Sequence, residues 1–354
     1  MSTDMQLPGC LGDPSKDEFF TQEDAATFEP DKRPHSDRKV PAKHLSMTVA
    51  EFVDRRFIPE YVSHRRTATR LYFQSILKYI VTPARVARAF GNGADRPAKD
   101  AQDPSSWPHL DEVLLKDVTP EAIQRLISAS IQRGYSPRTA THIRNVLRSL
   151  FSFAASTGNF TGTNPASMVA APTVVRKEPR VLSLDDLRQI MRLMRYPEKS
   201  IAIFALSADI NVSEICGLQW KFVNISFANR QLEGESLPPK AMAVRNLSYR
   251  GVFEPVKPAR RRLIPISDLL HNELAWLRRR ERHVGLEDFV IASRTGTPIN
   301  ADNIAIRRLK LIGSETEMPW LSWKVFQRTR ESLVQRFGRH LNRELERAIQ
   351  PRTS

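Results

Sequence analysis

At 354 residues and 41% apolar content, the chain is long enough to fill the cores of two ordinary domains. Its longest apolar run, near Ile201 to Leu206, is too short to cross a bilayer. Cys10 and Cys216 are too few for a disulfide framework or a four-ligand zinc site, so a cytoplasmic protein with neither metal nor cofactor is expected. The net charge is +15, yet residues 1–30 carry seven acids against Lys16, so the remainder stands at +21 and points to a polyanionic partner.

In chain order, residues 1–46 lack periodicity and read as a disordered arm, acidic first and basic near Lys32 to Lys43. Order begins at the capping box T-V-A-E, with Thr48 as cap, Glu51 reaching back, and Phe52, Val53, Phe57 and Ile58 following at helical spacing. A second helix is predicted from Ala68 to Ile80, and Arg65, Arg66 and Arg70 are placed to lie along a phosphate backbone. Thr82 to Leu110 holds four prolines and reads as an inserted loop. Thr119-Pro120-Glu121 opens a third helix with Ile123, Leu126, Ile127 and Ile131 inward. Ser136-Pro137 opens a fourth, running to Ser156, with Ala140, Ile143, Leu147, Leu150 and Phe151 on one face and Arg138 and Arg148 towards the other. For any single arginine, a solvated face is the simpler reading.

Residues 47–166 therefore form a helical domain, 167–182 a linker, and 183–354 a second domain. Ser183 caps that domain's first helix, and Ser200 to Leu206 forms the next. In Ala208 to Trp220, the residues Ile210, Val212, Ile215, Leu218 and Trp220 make an apolar stripe. Ser213 is expected to cap the helix, with Glu214 at its positive end. Val223 to Ile225 and Arg230 to Leu232 read as strands joined by a Phe-Ala-Asn turn, and 233–254 takes no assignment. V-K-P-A-R-R-R-L-I-P-I (Val256 to Ile266) is a basic segment ending in a strand. Helices follow over Leu269 to Arg282, around Ile304, Ile306, Leu309 and Leu311, and from Trp323 onward. The fold class is mainly α with a small β-hairpin or sheet (α+β).

Several of these stretches resemble, in order, the motifs of the tyrosine recombinases (phage integrases). S-P-R-T (Ser136 to Thr139) and N-P-A (Asn164 to Ala166) look like their SAM-like core-binding domain. Ser213, Glu214, Gly217, Leu218 and Trp220 fit the family wording T-G-L-R-x-S-E-x-x-G-L-x-W. Lys257, Arg262 and Pro265 fit T-K-x-x-x-x-R-x-x-P-L, and Lys324, Thr329, Ser332 and Leu333 fit H/K-x-L-R-H-T-F-A-S-L-L. In that register Asn211 and Gln327 stand where the family places its two phosphate-gripping arginines, and a one-residue slip would recruit Arg328 instead. Gly338, falling on the family's helix-ending glycine, supports the register.

The resemblance implies a site in which Lys257 and Lys324 are retained, Glu214 supports, and both arginine positions are degenerate. It also implies a tyrosine nucleophile some thirty residues past Gln327, whereas the last tyrosine in the sequence is Tyr249. Duplex DNA is the implied partner, contacted by the arginines of the first domain and by Arg260, Arg261, Arg262 and Arg328. The expectation is a nucleoid-associated, DNA-binding but catalytically inactive integrase, alone or in homo- or hetero-oligomers with other recombinases. Two alternatives stay open: an active recombinase completed by a partner's tyrosine, and a decayed remnant serving only protein contacts.

Overall fold

The computed structural model describes residues 47–91, 107–174, 178–232 and 234–349. The expected disordered arm, 1–46, lies outside them. The chain divides into two compact units, Met1–Arg176 and Lys177–Ser354.

The first unit is helical. Thr48 and Glu51 form the expected capping box at the start of α1 (Val49–Phe52), which continues as a wider π-type coil over Val53–Val62 with Pro59 inside it. Proline has no N–H for the regular ladder, so a locally altered repeat is a natural accommodation. α2 (Thr67–Leu77) follows. The predicted loop is in part a helix, α3 (Pro83–Ala89), because Pro83 sits in its first turn, where a missing N–H costs nothing. α4 (Pro120–Gln132) and α5 (Pro137–Ser156) are capped by Thr119 and Ser136. Ile131, expected inward, is exposed. Phe52, Phe57, Phe73, Leu77, Ile123, Ile143, Leu147 and Phe151 fill one core, which also takes in Ala166 and Val169. Phe57 stacks on Tyr61 at 5.1 Å and meets Phe73 edge-on at 5.6 Å.

The second unit is built around α7 (Glu198–Ser207), whose run Ile201 to Leu206 is buried on every side, as an apolar helix requires. Before it lies α6 (Leu184–Leu193), boxed by Ser183 and Asp186. After it come α8 (Val212–Cys216) and seven short strands: β1 (Val223–Asn224), β2 (Arg230–Leu232), β3 (Glu235–Leu237), β4 (Ala241–Val244), β5 (Asn246–Tyr249), β6 (Val252–Pro255) and β7 (Arg262–Pro265). The two sequence-predicted strands do not pair with each other. β1 joins β4 and β7 in an antiparallel sheet, while β2 pairs with β3 and β5 with β6. β4 and β7 pair from Ala241↔Pro265 to Val244↔Arg262, so the β5–β6 hairpin is an excursion between adjacent strands. α9 (Asp268–Arg278), α10 (Ala301–Ile304, π-type over Ala305–Leu309, then Lys310–Glu315), α11 (Trp323–Phe337) and α12 (Leu341–Ile349) complete the unit. The helix expected around Ile304, Ile306, Leu309 and Leu311 is present as α10, with Leu309 buried and Ile306 and Leu311 exposed. No helix among the described residues is long and apolar enough to cross a membrane.

Gly217 ends α8 where β5 passes close by, and a Cβ there would collide with the backbone of Leu247. Gly217→Ala is expected to cost about 3 kcal/mol through overpacking, read as a lower urea midpoint with an unchanged denaturant slope. In the first unit, burial and the nearby Arg138 charge push the His142 imidazole down to about 4, and its Nδ1 lies 3.1 Å from the Tyr72 hydroxyl. The folded state thus keeps His142 neutral while the unfolded chain protonates it near 6.5, so unfolding takes up a proton between those values. Stability is expected to fall as pH drops from about 6.5 to about 4. His142→Gln should flatten that part of the pH–stability curve measured by thermal melts.

Candidate anion-site pocket

Three segments of the second unit converge on a pocket of about 180 Å³. The end of α7 and the turn after it supply Ala205, Ala208, Asp209, Ile210 and Asn211; β7 supplies Arg262; α11 supplies Gln327, Arg330 and Glu331. Asn211 and Gln327, the two positions where the motif wording leads one to expect arginines, therefore line one cavity although far apart in sequence.

The turn is set by helix capping. Asn211 has extended backbone angles (φ −85°, ψ 162°), and its Oδ1 accepts from Glu214 N at 2.9 Å while Glu214 Oε2 accepts from Asn211 N at 3.1 Å. Asn211, rather than the expected Ser213, is the cap. Ser213 already lies inside the helix, where its hydroxyl cannot serve the first free amides.

Glu214 is only 2% exposed, and a buried carboxylate needs partners. Arg262 provides them as a fork, Nη1 donating to Oε1 at 3.1 Å and Nη2 to Oε2 at 2.8 Å. Nη2 also donates to Asp209 O at 2.7 Å and Nη1 to Arg260 O at 3.2 Å. Its hydrogen bonds with Glu214 hold the guanidinium above its ordinary range, against the burial that opposes it. Arg262, expected to face DNA, is instead committed inward, because the buried acid beside it offers a geometry that only a planar fork can meet. Gln327 Nε2 donates to Ile210 O at 3.3 Å, tying α11 to the turn.

The other expected site residues do not line this cavity. Lys257 stands exposed at the start of a short 3-10 turn, Pro258–Arg260, with Arg260 and Arg261 exposed beside it. Lys324 and Arg328 are half-buried on α11. In the first unit, Arg65 lies over the Tyr61 ring at 4.1 Å, Arg70 and Arg148 are exposed, and Arg66 and Arg138 are half-buried.

Arg330 escaped the sequence reading. It lies three residues beyond Gln327, a spacing that puts the two on one helix face, and that spacing was the available signal. Its Nε is buried without a hydrogen-bond partner. Arg262→Ala, which strands Glu214, is expected to cost about 3 kcal/mol. Arg262→Lys should recover only part of it, since an ammonium cannot fork onto both oxygens; urea unfolding of the two variants measures the difference.

No protein-family model matches the chain. It is similar to the tyrosine recombinase XerC of Thermodesulfovibrio yellowstonii, 29% identical over 133 residues, covering 36% of this chain and 44% of that protein. It is also similar to the tyrosine recombinase XerC of Xylella fastidiosa, 22% identical over 191 residues, covering 52% and 56%. The chain thus spans about half the length of the curated relatives it matches. Among solved structures it resembles the Tn1549 transposon integrase in complex with a circular intermediate DNA, with TM-score 0.59, 14% identity, and 86% of this chain and 91% of that one covered. It also resembles a lambda integrase dimer bound to a COC′ core site, with TM-score 0.54, 16% identity, and 88% and 76% covered.

Proposed function

We propose, for a chain that belongs to the tyrosine recombinase (integrase) family, that it binds duplex DNA at the nucleoid and holds it without cutting. The observation that carries this reading is the pocket wall on which Asn211 and Gln327 stand together.

Cleavage of a phosphodiester builds negative charge on the non-bridging oxygens, and donors fixed in advance around them lower that barrier. Asparagine and glutamine offer neutral amides where a guanidinium fork would supply charge and two parallel hydrogen bonds. Each lost donor costs about 3–4 kcal/mol of transition-state stabilisation, so two leave little rate. Asn211 is also occupied as a helix cap, and Arg262 on the same wall is held by Glu214. Neither change disturbs the fold around the pocket: the cap stabilises α8, and Gln327 keeps α11 bonded to the turn.

Binding to DNA is supported by the charge of +15 and by the arginines on α2, α5 and the Arg260–Arg261 turn. The DNA complexes of the similar integrases support it as well, and the lambda integrase dimer supports assembly of this chain with itself or with an active recombinase. Lys257 and Lys324 remain as cations that serve binding in this reading.

The reading predicts duplex affinity that falls with salt, the logarithms related by a slope near −0.9 per phosphate contacted. A nicked suicide duplex, which traps a covalent protein–DNA link if one forms, should shift on a native gel and leave no adduct on a denaturing one. A covalent adduct would restore the cleaving enzyme. Absence of any salt-dependent shift would leave a fold that serves protein contacts.

A further inference from the structure

We propose that Arg330 grips one phosphodiester of bound duplex in the pocket, assisted by the Asn211 side-chain amide. This replaces, from a position one helical turn along α11, the grip that Gln327 cannot make. The inference rests on the DNA-binding reading above and adds to it the residue and the contact.

Arg330 lines the pocket and is half-buried, while its Nε is buried and has no hydrogen-bond partner among the described residues. A guanidinium does not shed its charge in a protein, so the buried Nε calls for an acceptor. Buried donors without partners are rare in folded proteins and call for a cause. The other guanidinium on the wall is different: Arg262 is neutralised by both oxygens of Glu214 and by a backbone carbonyl. One cation of the pair is spent and the other is open.

The cap supplies the second donor. Because Asn211 Oδ1 must face the Glu214 N–H, its Nδ2 is turned the other way, and no described residue takes it. The pocket holds several times the space one water needs. Two acids also line it, Asp209 and Glu331, both exposed. Asp209 acts on Arg262, whose guanidinium it helps to keep charged. Glu331 is next to Arg330 on the helix and lines the same pocket, but among the described residues no ion pair joins the two, so Glu331 weakens the site's pull on an anion without occupying the guanidinium. With acids at the rim, the occupant suited to the site carries a single negative charge shared over two oxygens. A backbone phosphodiester does; a phosphate monoester, with its second charge, does not.

The test is the salt dependence of binding to a random-sequence duplex by full-length protein, comparing wild type, Arg330→Gln, Arg330→Lys and Glu331→Gln. Arg330→Gln is expected to weaken binding roughly tenfold, as loss of a charge-assisted hydrogen bond does, and to flatten the log–log slope by about 0.9. Arg330→Lys should keep the slope, and Glu331→Gln should tighten binding. An unchanged slope in Arg330→Gln overturns the inference while leaving DNA binding intact, whereas a wild-type protein that binds no duplex removes the reading beneath it. A second measurement needs no variant: phenylglyoxal labelling of wild-type arginines, mapped by mass spectrometry. Protection of Arg330 by duplex supports the grip, and labelling at the free-protein rate overturns it even if Arg330→Gln fails to fold.

Discussion

The second unit depends on one buried ion pair. Glu214 closes the N-terminus of α8 with one oxygen and receives the Arg262 fork with both, so helix and strand β7 are fixed to a single carboxylate. Arg262 also bonds the Asp209 carbonyl, which pins the turn between α7 and α8. A buried pair of this kind adds little net stability over an apolar substitute, yet losing one member leaves an uncompensated charge. What it confers is position: the turn carrying Asn211 cannot shift without breaking the fork. The shape of the pocket follows from that restraint.

The same restraint explains how the architecture holds with neutral side chains at Asn211 and Gln327. Asparagine is among the best capping residues, so Asn211 strengthens the start of α8. Glutamine has an amide long enough to reach the Ile210 carbonyl from α11. Both side chains are thus bonded to protein, one to an amide of α8 and the other to the turn before it.

Much of the helical framework was legible in the sequence because it is written in local rules. Thr48 with Glu51, Thr119 before Pro120, Ser136 before Pro137, and Ser183 are caps whose side chains bond the amides expected of them. The cap at Asn211 was misread because two oxygen-bearing residues, Asn211 and Ser213, stand two apart, and only backbone angles tell which is outside the helix. The strands were harder. β1 pairs with β4 across an intervening hairpin, and no local pattern records a partner so far along the chain. At the site, motif wording led to Asn211 and Gln327 but passed over Arg330, which belongs to no motif and shares only a helix face.

The hairpin β5–β6 leaves the sheet after Val244 and returns before Arg262, opposite the residue it left. Its root is held by the close passage of Leu247 over Gly217, while its tip, Arg250–Gly251, turns with positive φ at both residues. Root and tip are held differently: the first tolerates no added atom, and the second is tied to α10 by Arg250, whose Nε donates to Asp302 Oδ2 at 3.0 Å. Lengthening the tip would break that pair first, while the β4–β7 register that carries Arg262 and its pocket stays in place.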